Sequence, residues 1–157
     1  MPVVSAEVVV PVSPDVAFAV SQTTGATRLR WDPFIGEQHL MDGAERPGKG
    51  VRTFTRSRHG FAMVSRYVSY APGSNVGMTM EEGPWFFDVF GGGWRFMPHE
   101  SGGTLARWKY TFSIRPQWLH VLADPIGVWL LGRDIRRRID AFAAACTDPV
   151  VLAAVDG

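Results

Sequence analysis

Residues 118–146, WLHVLADPIGVWLLGRDIRRRIDAFAAAC, carry the longest helical pattern in the chain and decide what the other residues must supply. Apolar side chains recur there in steps of three and four, at Leu122, Ile126, Trp129, Leu130, Ile135, Ile139, Phe142 and Cys146. Such spacing places them along one face of an α-helix. The opposite side carries charged residues that we expect to face water, namely Arg133, Asp134, Arg136, Arg137 and Asp140. A helix with this stripe has to be wrapped by a concave partner, which the rest of the chain must provide.

The start of this helix has two interpretations. Asp124-Pro125 offers an N-cap residue followed by proline at the first helical position, which is typical of a helix start. Alternatively, a longer helix begins upstream and is kinked at Pro125. After Asp148-Pro149, the pattern indicates no partner for the tail, 147–157.

The upstream residues predict seven strands and two short helices. Ser13-Pro14-Asp15 supplies an N-cap, a first-position proline and an acidic first turn for a helix that ends near Gln22. A second helical turn, 26–30, must stop at Asp32 because Pro33 disfavours helical backbone there. The predicted strands are 3–10, 34–41, 50–56, 61–70, 75–82, 85–98 and 104–114. Their short, turn-rich connections argue for one large antiparallel sheet, and Gly91-Gly92-Gly93 suggests a bulge or a sharp bend.

Alternation along the last strand is the clearest guide to which side chains face inward. Ala106, Trp108, Tyr110, Phe112 and Ile114 share one face, while polar side chains dominate the other. Met78 and Met80 repeat the pattern in a neighbouring strand. In 50–56 and 61–70 the pattern leaves the facing open, so either Met63 or Arg66 could point inward.

Length and charge limit the classes of function. A chain of 157 residues is long enough to bury a core as one domain, with the core at about 3–146. The net charge of +1 gives no overall attraction to nucleic acid or to an anionic membrane. Arg133 and Arg136 to Arg138 form the one basic patch, which we interpret as the solvated back of the helix, with a phosphate or acidic-lipid contact as the alternative.

The remaining composition argues against several kinds of site. The single cysteine, Cys146, excludes an internal disulfide and a multi-thiolate metal site. No zinc, P-loop or dinucleotide-binding motif is present, and the four histidines lack metal-ligand spacing, so we expect no metal and no organic cofactor. No secretory signal or membrane-spanning run is apparent, which makes the cytoplasm the expected location without integral membrane association.

The order of elements resembles that of the START/Bet v 1-like superfamily, the SRPBCC group of polyketide cyclase/dehydrase-like proteins. The resemblance lies in residues 8–18 (VVVPVSPDVAF), where a strand runs into a short helix, and in Trp31-Asp32-Pro33 at the end of the second short helix. Gly102-Gly103-Thr104 before the last strand and 108–112 (WKYTF) within it add to the match. It extends over nearly the whole chain, from Val3 to Cys146.

The resemblance implies an α+β helix-grip fold, in which seven antiparallel strands wrap around the C-terminal helix and leave a deep apolar cavity. It also implies a hydrophobic ligand, such as a lipid, sterol or polyketide, and in some members cyclisation or dehydration. The shared motifs are structural, so they transfer no catalytic position to this chain.

Candidate site residues follow from the aromatic and thioether side chains expected to face such a cavity. For ligand binding these are Met78, Met80, Trp85, Phe87, Trp108, Tyr110, Phe112 and Trp129. Tyr110, Asp88 and Arg66 are the candidates for acid–base chemistry, with Arg52 and Glu82 as further polar residues of a cavity. The alternation along its strand favours an Asp88 side chain on the outer face of the sheet. The aromatic residues also have an alternative role, because packing in the core alone would account for their presence.

Three hypotheses for function follow. The first is binding or carriage of a hydrophobic small molecule, lipid-like or polyketide-like. The second is an enzyme of the polyketide cyclase/dehydratase type that uses Tyr, Asp or Arg side chains in the cavity. The third is an interaction module that binds a protein partner through an exposed aromatic patch. We also expect Trp129 to face the cavity and its mouth, and residues 135–146 to seal the core.

Overall fold

A computed structural model describes residues 1–156 and shows a seven-stranded antiparallel sheet that curls around one long helix. The strands are β1 (Val3–Val10), β2 (Ile35–Leu40), β3 (Arg52–Ser57), β4 (Ala62–Ala71), β5 (Asn75–Glu82), β6 (Phe87–Pro98) and β7 (Thr104–Ile114). Their order in the sheet is β1-β7-β6-β5-β4-β3-β2, so β1 crosses over to pair with the last strand. The predicted helix-grip fold is confirmed.

Two short helices, α1 (Pro14–Ser21) and α2 (Gly25–Trp31), connect β1 to β2. The Ser13 hydroxyl caps α1 by accepting a hydrogen bond from the Val16 backbone N–H at 3.3 Å, as its sequence predicts. Asp32 ends α2 in extended backbone, as the following Pro33 requires. These local signals place the Asp32 side chain at the junction between α2 and the sheet.

The long helix, α3 (His120–Ala145), follows a single 3₁₀ turn at Gln117–Leu119. Pro125 lies inside it, so the longer of the two predicted helices is the one that forms. A further helix, α4 (Pro149–Val155), covers α1 and buries Val151 completely. The tail therefore has a partner, which the sequence pattern did not indicate. Among the residues described, no helix combines the length and the apolar character needed to cross a membrane.

The glycine triplet of β6 does not form a bulge. Gly91, Gly92 and Gly93 pair in unbroken register with Thr111, Tyr110 and Lys109, and the irregularity in β6 lies between Phe87 and Val89 instead. A Cβ on Gly93 would come within 2.8 Å of the Val76 carbonyl oxygen on β5. Glycine therefore permits a close approach of the β5 and β6 backbones that a side chain at Gly93 would block.

The core lies between the sheet and the second half of α3. Ile135, Ile139 and Phe142 are almost completely buried, as predicted for the part of the helix that seals the core. The Phe142 ring lies 4.7 Å from that of Trp94 on β6 and 5.9 Å from that of Trp31 on α2. An internal space lies between the sheet and the first half of α3.

Candidate functional site

A cavity of about 800 Å³ lies between the concave face of the sheet and the first half of α3. Its wall is mainly aromatic and aliphatic, formed by Phe34, Ile35, Phe61, Met63, Val76, Met78, Met80, Phe86, Phe87, Phe90, Trp94, Trp108, Ile114, Ile126, Leu130 and Leu131. Gly92 also lines it, and a Cβ there would come within 3.5 Å of the Tyr110 ring. The volume and apolar wall match those of small-molecule sites in proteins.

Five of the eight predicted ligand-binding residues line this cavity: Met78, Met80, Phe87, Trp108 and Tyr110. The alternation along β5 and β7 decides this placement, because every second side chain of a strand faces the same side. The facing that the sequence left open is also settled, since Met63 lines the cavity while Arg66 points outward to Glu81. Contact of these side chains with a ligand stays a prediction.

Phe112 and Trp85 were expected to line the cavity, and neither does. Phe112 is completely buried beneath α3, where Gly127 approaches so closely that a Cβ would lie 2.8 Å from Phe112 Cε2. Its ring fills the gap between sheet and helix. Trp85 lies in the loop before β6 and is 76% exposed, while the neighbouring Phe86 enters the wall in its place.

Trp129 also lies outside the cavity wall, contrary to the prediction that it faces the cavity. It is 58% exposed, and the Arg133 guanidinium lies 5.0 Å from the centre of its ring. Adjacent residues of an α-helix are rotated by about 100°, so the turn that points Leu130 at the cavity points Trp129 to solvent. The cavity-facing row of α3 instead contains Ile126, Leu130 and Asp134, in steps of four.

One end of the cavity is polar, and we call it the polar floor: Gln22, Arg28, Tyr67, Tyr110, Asp134 and Arg138, all of which line the cavity. Asp32 lies behind it, completely buried. Its carboxylate accepts hydrogen bonds from Arg28 Nε at 2.9 Å, from Arg138 Nε at 3.0 Å and Nη2 at 2.7 Å, and from the Phe34 N–H at 3.1 Å. Asp32 therefore fixes both guanidinium groups.

Opposing effects set the charges at this end. Burial alone would raise the pKa of Asp32, but the nearby Arg138 and Arg28 guanidiniums outweigh it and hold that pKa well below its usual range. Burial acts against the charge of Arg138 as well, yet Asp32 raises the pKa of that guanidinium. The Arg138 guanidinium also lies 4.3 Å from the Trp108 ring and 4.7 Å from the Phe34 ring. Both charges of the Asp32–Arg138 pair are thus present at neutral pH.

Tyr110 connects this buried pair to the cavity. Its hydroxyl accepts a hydrogen bond from Arg138 Nη1 and donates one to Asp134 Oδ2 at 3.3 Å. Burial raises the pKa of Tyr110, so the phenol remains protonated at neutral pH. Burial also raises the pKa of Asp134, the most accessible acidic group of the floor. The floor therefore presents a phenol and a carboxyl group to whatever fills the cavity.

The floor extends across the sheet through the side chains of Tyr67, Gln22 and Arg28. Tyr67 Oη donates to Gln22 Oε1 at 2.9 Å, and Gln22 Nε2 donates to Ser21 Oγ at 2.9 Å. Arg28 Nη1 donates to the Ser21 carbonyl oxygen at 2.6 Å. Continuous hydrogen bonding thus joins β4, the α1–α2 junction, α3 and β7, which fixes these side chains before any ligand arrives.

The prediction that Arg138 and Asp134 face water is wrong. Arg138 is buried on the core side of α3, and Asp134 turns toward Tyr110. The spacing indicated an inward Arg138, because this residue lies three positions after Ile135 and four before Phe142, and both of these are on the apolar stripe. Arg28 and Asp32 are likewise spaced for an i,i+4 ion pair. The sequence reasoning also missed four uncharged polar side chains of the wall, those of Gln38, Thr53, Thr55 and Ser65.

Of the residues considered for acid–base chemistry, Tyr110 alone lines the cavity. Asp88 points outward, as alternation favoured, and its carboxylate lies 3.4 Å from Arg115 Nη2. Arg66 and Arg52 both pair with Glu81 on the outer face of the sheet, at 3.0 Å and 2.8 Å. Within residues 1–156, no three His, Cys, Asp or Glu side chains lie close enough together to hold a metal ion.

Large apolar side chains surround the mouth of the cavity. Phe61, Ile126 and Leu130 line the cavity and yet are more than half exposed, which places them at its rim. Beside them on α3 and in the preceding turn, Trp118, Val121, Leu122 and Trp129 are exposed as well. This surface is the kind that an interaction module would need.

A second, more open hollow lies on the convex side of the sheet. Gly77, Gly91 and Gly93 form its base, and the side chains of Glu7, Arg95, Arg107 and Lys109 are among those around it. Arg107 Nη2 is already paired with Glu7 Oε2 at 2.6 Å. This depression is more open and has a mixed polar and apolar lining, so the largely apolar cavity beneath α3 is the candidate site.

Comparison with known proteins identifies the family of this chain. The family described as "Polyketide cyclase / dehydrase and lipid transport" matches residues 1–147. No curated protein matches the sequence. Among solved structures, a START superfamily protein from Mycobacterium smegmatis has a TM-score of 0.76 at 14% identity, covering 92% of this chain and 97% of that one.

Two further structures show how widely this fold is shared. A protein from Thermus thermophilus has a TM-score of 0.76 at 14% identity and covers 99% of this chain and 100% of its own. Norcoclaurine synthase from Thalictrum flavum, solved with dopamine and hydroxybenzaldehyde, has a TM-score of 0.64 at 14% identity, covering 91% of this chain and 84% of its own. Identities this low establish the fold alone. The family match over residues 1–147 shows that the chain belongs to the polyketide cyclase/dehydrase and lipid transport family, and its helix-grip architecture agrees with the fold of the START superfamily protein.

Proposed function

We propose that this protein binds a hydrophobic small molecule in the cavity between the sheet and α3. The observation that carries the proposal is the cavity of about 800 Å³, apolar over most of its wall and closed at one end by the polar floor. Burying apolar ligand surface there is favourable by about 25 cal/mol per Å². The hydrogen-bonded floor can orient a polar group of the ligand, as a few placed polar groups do in such sites.

The shape of the cavity supports binding rather than a filled core. Gly92 leaves space beside Tyr110, and Gly127 draws α3 onto Phe112 just below the cavity. Met78 and Met80 in the wall are unbranched and flexible, so they can adapt to ligands of different shape. The exposed apolar rim offers a route by which an apolar molecule could move between the cavity and another hydrophobic environment.

A cavity-filling substitution tests the proposal. Ala123 lines the cavity from α3, whereas Ala144 is exposed on the same helix. We expect Ala123→Phe to weaken binding of the neutral fluorophore N-phenyl-1-naphthylamine by about tenfold or more, and the control Ala144→Phe to leave it unchanged. Native mass spectrometry of the purified protein should show a co-purified mass that denaturation releases. Absence of fluorophore uptake by the unsubstituted protein, together with no bound mass, would refute the proposal.

A second candidate function is an acid–base enzyme of the cyclase or dehydratase type. It is favoured by the Tyr110 hydroxyl, which lies at the cavity wall between Arg138 and Asp134 and stays protonated because burial raises its pKa. Such a phenol can donate its one proton to the carbonyl oxygen of a bound ligand in place of Asp134, and Asp134 is then free to exchange protons with the ligand. Incubation with a β-hydroxy ketone that fits the cavity should then yield loss of water, detected by mass. Conversion that Tyr110→Phe leaves unchanged would refute this role.

A further inference from the structure

A group of uncharged polar side chains lines the cavity on β2–β4, and we call it the hydroxyl wall: Gln38, Thr53, Thr55 and Ser65. The strand register brings them together, because Gln38 is directly opposite Thr55, and Thr53 is directly opposite Ser65. Side chains paired in this way have Cβ atoms about 5 Å apart, and residues two apart on one strand about 7 Å. The hydroxyl wall is therefore one compact patch.

The hydrogen-bonding capacity of this patch is not used inside the described part of the protein. Gln38 Oε1 is buried and has no hydrogen-bond partner among residues 1–156. On these strands the described side chains that form hydrogen bonds are those of His39, Arg52, Ser57, Arg66 and Tyr67, and none of these bonds involves Thr53, Thr55 or Ser65. Thr53 is 1% exposed, so its hydroxyl is removed from bulk solvent as well. Buried polar groups are normally paired, so this free capacity in one cavity wall calls for a partner.

The charges next to this patch are turned away from the cavity. Arg52 and Arg66, which alternate with the hydroxyl wall on β3 and β4, bind Glu81 on the outer face of the sheet. The patch itself therefore offers O–H and amide groups without a cation. Groups of this kind recognise neutral oxygen atoms, whereas a carboxylate or phosphate would remain without a counter-charge there.

We propose that the hydroxyl wall is a second polar subsite, which binds hydroxyl or carbonyl oxygens carried on the body of the ligand, apart from the group that meets the polar floor. This inference rests on the proposed binding function and names the ligand class: an apolar skeleton with neutral oxygen substituents. A plain hydrocarbon chain would leave the hydroxyls and the Gln38 amide unpaired in a dry site, which is unfavourable.

The test compares two probes that share one ring skeleton, anthracene without oxygen and anthraquinone with two carbonyls. The relevant quantity is the ratio of their affinities, measured by quenching of the tryptophan fluorescence. We expect the triple variant Thr53→Val/Thr55→Val/Ser65→Ala to lower the preference for anthraquinone by about tenfold, the effect of losing about two hydrogen bonds. Valine keeps the shape of threonine, so anthracene affinity should be unchanged or higher.

Thr111→Val is the matched control, because Thr111 borders the hollow on the outer face of the sheet. It should leave the preference unchanged. If the triple variant does not fold, the single variants Thr53→Val and Thr55→Val replace it. Each should lower the preference for anthraquinone in the same direction by a smaller factor. A preference that differs by less than twofold between wild type and the variants would overturn the subsite while leaving the binding function intact. Failure of wild type to take up either probe would instead refute the proposed binding function, and the subsite with it.

Discussion

Substitution of Arg138 by Met should be among the most destabilising single changes in this protein. The Arg138 guanidinium makes two hydrogen bonds to Asp32, at 3.0 Å and 2.7 Å, and one to Tyr110. Methionine is apolar and of similar length, so the substitution removes the charge without leaving a large cavity. Asp32 stays completely buried and keeps Arg28 and the Phe34 N–H as partners. Removal of one partner of a buried ion pair costs about 3–5 kcal/mol.

Urea and thermal unfolding measure this loss. For a chain of this size each kcal/mol lowers the melting temperature by about 2–4 °C, so Arg138→Met should lower it by roughly 6–20 °C. Arg107→Met is the matched control, because Arg107 pairs with Glu7 at 2.6 Å on the surface, with both side chains 46% exposed. An exposed pair contributes below about 1 kcal/mol. A loss for Arg138→Met no larger than that of the control would refute the assigned role of the buried pair.

The same variant has a defined pH dependence. In the wild type the pKa of Asp32 is held below its unfolded value, so its contribution to stability is present above about pH 4 and is lost as the pH falls further. Without Arg138 the pKa of Asp32 rises, and the variant loses less stability on acidification than the wild type does. The difference in the free energy of unfolding should therefore shrink between about pH 7 and pH 3. A difference that stays constant over this range would contradict the linkage.

Three further predictions test other parts of the structure. Ile139→Ala should lower the free energy of unfolding by about 2–5 kcal/mol because Ile139 is buried, whereas Trp129→Ala at the exposed position should change it by less than about 1 kcal/mol and leave fluorophore binding nearly unchanged. The Asp134→Asn variant should become more stable relative to wild type as the pH rises from about 4 to 7. Burial raises the pKa of Asp134, so ionisation of this carboxyl group destabilises the folded wild type. A difference in the free energy of urea unfolding that does not change with pH would count against this. Val151→Ala should lower the free energy of unfolding by about 2 kcal/mol, and Val150→Ala by less than about 0.5 kcal/mol, because Val151 alone is buried on α4. Equal melting temperatures for the two variants would show that α4 does not stabilise the fold.

Local sequence signals predicted the elements because each signal acts over a few residues. Ser13-Pro14-Asp15 caps α1, Pro33 stops α2, and the alternation of β7 places Trp108 and Tyr110 inward. The same reasoning divided α3 into a half that seals the core and a half beside the cavity. It failed for Trp129, because an apolar stripe about 100° wide does not show which edge faces the cavity.

The sequence by itself determined the seven strands, the first three helices and the apolar face of β5 and β7, since alternation, capping residues and turns are encoded within short segments. Only the tertiary structure decided the polar floor and the hydroxyl wall. Asp32 and Arg138 are separated by 106 positions, and Thr53 faces Ser65 only through the register of two strands. Whether a charged or polar side chain turns inward depends on the partner it finds there, because burial without a partner is unfavourable. That partner comes from a distant part of the chain, and folding alone brings the two together.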